Sequence, residues 1–407
     1  MAIAIDLSPI RRNADYRWLF LGQFVSKIGS MVTYVAFQYH IYSVTQSTLW
    51  VGLAGMAQLV PLVLTGFWGG ALADSLDRRR LIIYSESGLA LILLILAGIA
   101  YTDLKSPVLL LFLSALSASL TGIHRPALEA LTPRLIEPED IPKVSSINSF
   151  KFTIGAIAGP ALGGILISQM GLYATYLFDA GTFAFSIFCL LRIRRIPKVE
   201  KAESASFRAI QEGFRYALSR RDLLGTYLID MVAMFFAFPY PLFPAMAEMY
   251  GGTHKLGYLY AAPSVGAFVA SVTSGWTYRV RRHGMAIAVA AAGWCLCMIA
   301  FGLNRDFEIA LFILGLAGFS DMISGIFRGT MWNQTIPDQF RGRLAGVEMI
   351  SYMSGPMAGN TWMGATAEKW GVHAAVGIGG LLGTVGVTGL TAWLREFREY
   401  TRESPPS

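Results

Sequence analysis

The chain has 407 residues, 54% of them hydrophobic and 14% charged, with a formal net charge of +7 and a mean hydropathy of +0.50. Soluble domains carry about 25% charged residues, so this chain cannot cover a water-facing surface, and a bilayer is its natural solvent. The basic residues cluster in short segments between apolar runs, which reads as membrane topology and excludes a nucleic-acid-binding module of interleaved basic and stacking residues.

The N-terminal stretch "MAIAIDLSPIRR" lacks the apolar core and cleavage site of a secretory signal, so the first apolar run is expected to stay as a membrane span. A spanning helix needs about 20 predominantly apolar residues. Twelve such runs are predicted, at 17–43, 48–73, 80–101, 106–130, 146–168, 173–194, 222–248, 255–279, 283–303, 307–331, 343–367 and 371–394. An even number places both termini on one side. Alternate loops hold 25 Lys and Arg residues on the side of the termini against four on the other, Lys105, Lys255, Arg305 and Lys369, and four more lie inside spans. The positive-inside rule makes the first side cytoplasmic.

The expected organisation is an all-α membrane protein in two six-span halves, 1–194 and 222–395, joined by a cytoplasmic linker at 195–221 and followed by a tail at 396–407. In the linker, Phe207, Ile210, Phe214 and Leu218 recur at helical spacing with Arg208, Arg215 and Arg220 elsewhere, the pattern of an amphipathic helix on the inner leaflet or of a solvated linker helix. Cys189, Cys295 and Cys297 all lie in apolar runs, and the five histidines are scattered, so no disulfide framework, metal site or cofactor is expected.

The halves repeat. "VGLAGMAQLVPLVLTGFWGGALA" from Val51 is similar to "LGYLYAAPSVGAFVASVTSGWTY" from Leu256, pairing Gly52 with Gly257 and Gly70 with Gly275. "TGIHRPALEALTP" from Thr121 matches "SGIFRGTMWNQTIP" from Ser324, and "GPALGG" from Gly159 matches "GPMAGN" from Gly355. Parallel repeats of this kind place a substrate site near the bilayer midplane, between the halves.

Twelve spans in a six-plus-six repeat resemble the major facilitator superfamily. "GALADSLDRRR" resembles that superfamily's G-x-x-x-D-R-x-G-R-R motif between spans 2 and 3: Gly70, Asp74, Arg78 and Arg79 are kept, while Ser75 and Asp77 depart from it. "GAIAGPALGG" from Gly155 to Gly164 matches G-x-x-x-G-P-x-x-G-G, the span-5 signature of the superfamily's drug antiporters. "LGQFVSKIGS", "HRPALEALTPRLI" and "LGYLYAAPSVGA" look like its enterobactin-exporter and macrolide-efflux branch. The resemblance implies that Asp74 and Arg78 meet Glu348 at the start of span 11 and latch the halves shut. Gly155, Gly159 and Gly163 share one face, and small residues let membrane helices approach closely. Pro160 removes a backbone donor and is expected to kink span 5, packed against span 8 or 11 of the other half.

Charges at bilayer depth cost roughly 2.5–3.5 kcal/mol on insertion scales and require a partner or a function. Lys27 lies ten residues into span 1 and Asp230 eight into span 7, depths of about 15 and 12 Å. The spans are repeat equivalents, so a Lys27–Asp230 pair is expected, as a proton-coupling device or a structural ion pair. Asp321 and Arg328 share a face of span 10, with Asp321 a second protonation candidate. Arg125 and Glu129 are spaced to pair locally, and both buried arginines are placed to snorkel toward the cytoplasm. Asp179 is expected to be structural.

No nucleophile–base pair or metal cluster points to an enzyme, and the loops are too short for a receptor or scaffold with a soluble domain. The reading is a secondary transporter, exporting an amphipathic siderophore- or drug-like molecule in exchange for protons by rocking of the two halves; an inward-directed transporter stays open. Depth and polarity nominate Gln23, Lys27, Tyr34, Gln38, Tyr240, Tyr352, Asn360 and Trp362, with Asp230, as cavity residues. The expected partners are a small molecule, protons and lipid, with a monomer as the working unit.

Overall fold

A computed structural model describes residues 6–194, 215–216, 218–336 and 338–401, with the side chains of 67, 71, 73, 74 and 338–350 outside the description. Every regular element among the described residues is helical, as lipid requires of a backbone that must satisfy its own hydrogen bonds. The long helices are α1 (Ala14–Thr45), α2 (Thr48–Ser75), α3 (Arg78–Thr102), α4 (Pro107–Leu131), α5 and α6 within Ile141–Arg192, α7 (Arg221–Phe236), α8 (Leu256–Thr273), α9 (His283–Leu303), α10 (Phe307–Thr335), α11 (Asp338–Trp370) and α12 (Val372–Trp393). A short segment, Phe243–Met249, extends α7. Helix thus occupies each of the twelve expected segments, and among the described residues ten helical stretches are long and apolar enough to cross a membrane. The expected amphipathic helix falls largely on 195–214, outside the described residues.

The chain marks many of these boundaries locally. Asn13, Asp77, Ser106 and Asp306 each accept a hydrogen bond from the backbone N–H three residues on, at 3.0, 3.1, 3.4 and 3.0 Å, satisfying donors that a helix start leaves open. α1 and α3 end on Gln46 and Asp103 in the left-handed conformation, and Gly371 turns α11 into α12 with φ of 88°. α5 and α6 are divided at Gly171, where φ is 76°. Pro160 was expected to kink α5, yet the backbone keeps helical angles there and Gly171 is the residue that breaks them. A proline costs the helix one donor, whereas a positive φ reverses its course.

The chain forms two compact units. The first comprises 1–46, 57–204 and 251–261, and the second 47–56, 205–250 and 262–407. The opening turns of α2 belong to the second unit, and those of α8 to the first. In the first unit, Tyr16, Leu19, Leu81, Ile82, Ala127, Leu131, Val144 and Leu190 form a buried cluster that ties together one end of α1, α3, α4, α5 and α6. In the second, Leu223 and Tyr227 pack with Ile336 against Trp332. Many large apolar side chains, such as Leu91, Val108, Phe112 and Phe312, are exposed, as expected where lipid is the solvent.

Candidate transport site

In the second unit, α7 and α10 bring three charges together. An Arg328 Nη1 ion-pairs with Asp230 Oδ1, and its Nη2 stands 3.8 Å from Asp321 Oδ1. The Asp230 side chain is 6% exposed and that of Asp321 40%. Asp321 and Arg328 lie two turns apart on one face of α10, and the long arginine side chain spans that interval. The expected partner of Asp230 was Lys27; its partner is Arg328. Depth in the sequence cannot reveal which spans are neighbours. Arg328 was also expected to snorkel, but a carboxylate within reach is the stronger attraction in a medium where a lone charge is costly.

In the first unit, the stripe Gly155, Gly159, Gly163 faces α1. A Cβ on Gly155 would lie 2.9 Å from Lys27 Cγ, one on Gly163 3.3 Å from Val32 Cα, and one on Gly159 would collide with Met31. The stripe was expected to face the other half. It is instead Gly164 that meets α8: a Cβ there would lie 2.6 Å from Gly257 N, and one on Gly257 2.6 Å from Pro160 O. α11 repeats this arrangement on the second unit. Gly355 and Gly359 pack against Met231 and Phe235 of α7, while Gly52 and Gly55 of α2 pack against Asn360 and Met357. Lys27, its stem in the notch of Gly155, holds its ammonium 4.9 Å from the centre of the Phe152 ring.

The remaining cavity candidates divide. Gln23 is committed to the protein, donating to Glu86 Oε1 at 2.6 Å and Ser186 Oγ at 3.2 Å. Tyr34 lies edge-on to Tyr260 at 5.7 Å, and Gln38 is buried with no partner for its Oε1 among the described residues. Asn360 Oδ1 is likewise buried and unsatisfied. Tyr240 stacks on Phe238 at 4.2 Å, Trp362 packs against Phe236 at 5.2 Å, and Tyr352 is exposed.

Of the motif between α2 and α3, Gly70 has open space where a Cβ would stand. Arg78 donates to Ala130 O at 3.2 Å, and Arg79 to Leu190 O and Leu191 O at 2.7 and 2.8 Å. Both guanidinium groups thereby satisfy carbonyls in the last turns of α4 and α6, where cations are favoured. The side chains of Asp74 and Glu348, and so the expected latch, lie outside the described residues. Arg125 and Glu129 pair at 2.9 Å, as their spacing predicts. Asp179 is buried and accepts from Thr33 and Thr182 at 2.6 and 2.7 Å.

Sequence reasoning passed over Glu86. This carboxylate is fully buried; its Oε1 accepts from Gln23 and from Ser186 Oγ at 3.0 Å, and it stands 3.2 Å from His124 Nε2. Its Oε2 has no partner among the described residues. The signal was present, since Glu86 lies eight residues beyond Arg78 in an apolar span. Among the described residues no group of three His, Cys, Asp or Glu could hold a metal ion, and the three cysteines are buried and free.

The chain is 28% identical over 417 aligned residues to the enterobactin exporter EntS of Citrobacter koseri, covering 99% of this chain and 97% of that one. It is 27% identical to EntS of Escherichia coli O81 over the same coverage. Its fold is shared with the nucleoside transporter NupG (TM-score 0.73, 14% identity, 93% of this chain and 98% of that chain). A bacterial homologue of the iron transporter ferroportin in an inward-facing state gives a TM-score of 0.71 at 14% identity, over 96% of this chain and 99% of that chain. The family described as transmembrane secretion effector matches residues 4–405; the chain belongs to that family, within the major facilitator superfamily, and is a multi-pass membrane transporter and not an enzyme.

Proposed function

We propose that this protein exports an amphipathic small molecule across the cell inner membrane in exchange for protons, by alternating access, with both termini cytoplasmic. Export is supported by the enterobactin exporters it is similar to over almost its whole length. The orientation is supported by the excess of 25 basic residues over four between the two sets of loops.

Coupling rests on the Asp230–Arg328–Asp321 cluster. Two carboxylates share one guanidinium, so the ionised cluster carries one net negative charge inside the membrane. One proton neutralises it. Asp230 is held by Arg328, and Asp321 is the more exposed acid with the looser contact; it is the group that takes the proton from outside and releases it inside. Protonation leaves Arg328 to Asp230 alone, and deprotonation restores the competition. The two states thus differ in the contacts of α10 with α7.

Efflux of siderophores, macrolides and dyes from proteoliposomes under an imposed pH gradient tests the reading. Asp321→Asn should lower gradient-driven accumulation at least tenfold while substrate exchange continues. Concentrative transport by this variant with unchanged pH dependence would overturn the coupling role. Gradient-driven movement of the panel only from the outer to the cytoplasmic side would overturn export.

A further inference from the structure

The four basic residues inside the predicted spans are Lys27, Arg125, Lys151 and Arg328. Two have acidic partners: Arg125 has Glu129 at 2.9 Å, and Arg328 has Asp230 and Asp321. Among the described residues, Lys27 and Lys151 have no carboxylate within ion-pairing distance. Lys151 lies one turn before Gly155 on α5, and so on the face against which the Lys27 stem rests, while the charge of Arg125 is matched by Glu129. The first unit therefore holds two uncompensated positive charges on the α1–α5 seam. Like charges in such a medium destabilise one another and need a counter-ion.

The seam is built to keep them there. Gly155 lets the Lys27 stem lie against the α5 backbone. The ammonium is then carried to the face of Phe152, the residue after Lys151. Both lysines are half-buried and Phe152 is 61% exposed, so neither the cations nor the ring are sealed inside the helix packing. A cation over an aromatic face is stabilised by the ring's quadrupole, which holds Lys27 in place without neutralising it. An ammonium pair beside an open aromatic ring suits a planar aromatic bearing a carboxylate or phenolate.

We propose that Lys27 and Lys151 form the anion-binding subsite of the transported molecule, with Phe152 against its ring, and that the substrate is an aromatic organic anion. The proposal rests on the transport reading above and adds to it the charge of the cargo. It also gives the first glycine of the span-5 motif a task in this chain, that of seating the substrate's counter-charge.

Fluorescein and rhodamine 123 share a xanthene core and carry opposite charge. Their binding to the purified full-length protein in nanodiscs, followed by fluorescence polarisation, reads the subsite without requiring transport. Wild type should bind fluorescein at least tenfold tighter than rhodamine 123. Lys27→Gln and Lys151→Gln should each weaken fluorescein by about tenfold, the loss expected of one charge-assisted hydrogen bond. Neither should weaken rhodamine 123, and Lys151→Arg should keep fluorescein binding. Wild type with no preference for fluorescein, including failure to bind either dye, overturns the subsite. So does a Lys27→Gln/Lys151→Gln double variant that binds fluorescein as wild type does. Unaltered thermal unfolding of the variants separates loss of the charge from loss of the fold. If fluorescein binds with this pattern but neither it nor the siderophore panel crosses proteoliposomes under a gradient, the transport reading fails and the anion site stands.

Discussion

Gly164 of α5 and Gly257 of α8 stand backbone to backbone: a Cβ on Gly164 would lie 2.6 Å from Gly257 N, a distance no real Cβ tolerates. The repeat places Asn360 where Gly164 stands and Gly52 where Gly257 stands, and those two also meet, Gly52 leaving no room for a Cβ against Asn360 O. Thr361 Oγ1 adds a hydrogen bond to Gly52 O at 3.0 Å. Each half thus sends the first turns of one helix into the packing of the other, by the same pair of contacts used twice.

Gly164→Leu is expected to reduce transport at least tenfold with membrane expression within twofold of wild type, because the obstacle is backbone and cannot rotate away. Efflux assays on inverted vesicles with immunoblot normalisation measure this. Wild-type transport in this variant would mean that the approach of α5 and α8 plays no part in the cycle.

Arg328 is the only cation within ion-pairing distance of Asp230 and Asp321 among the described residues. Its removal leaves the buried Asp230 carboxylate without a counter-charge, a loss of about 3–5 kcal/mol when one partner of a buried pair is deleted. Arg328→Gln should lower the melting temperature in detergent more than the double variant Asp230→Asn/Arg328→Gln, in which the orphaned charge is also removed. Equal or additive losses would show that the pair is not coupled.

Glu86 is the common acceptor for Gln23 and Ser186, with His124 alongside. Glu86→Ala should destabilise by about 3 kcal/mol or more, since the buried Gln23 and Ser186 and the partly buried His124, on α1, α6 and α4, lose their partner together. Glu86→Gln keeps an oxygen at the Oε1 position and alters only the atom that has no partner, so it should retain more of the stability than Ala. Thermal unfolding of the two variants side by side settles the ordering.

Single cysteines replacing Lys105 and Lys369 should react with impermeant maleimide added outside cells, and those replacing Arg79 and Arg281 only after permeabilisation. The distribution of basic residues motivates this orientation. The reverse labelling pattern would invert the topology and with it the proposed direction of transport.

Much of this molecule is legible along one dimension. Span positions depend on runs of apolar residues against a fixed bilayer thickness, and the helices lie where those runs predict. The repeat was visible because Gly52 and Gly257, or Gly159 and Gly355, recur in matching contexts. The Arg125–Glu129 pair was readable because helical geometry alone brings residues four apart together. What the sequence could not decide is which faces meet. Lys27 and Asp230 occupy similar depths, and depth alone suggested that they pair; packing within the second unit hands Asp230 to Arg328, while the first leaves Lys27 over the Phe152 ring. The glycines announced a close approach but not its target, since a missing Cβ says how near a neighbour comes and nothing of which neighbour it is. Gly155 and Gly159 turned out to admit α1, whereas Gly164 and the backbone at Pro160 meet α8. Glu86, one acid in an apolar helix, acquired its meaning only when three other helices carried Gln23, His124 and Ser186 to the same point. Such partners are set by tertiary packing, because hydrogen bonds and ion pairs act over a few ångströms and the chain must first bring its distant segments that close.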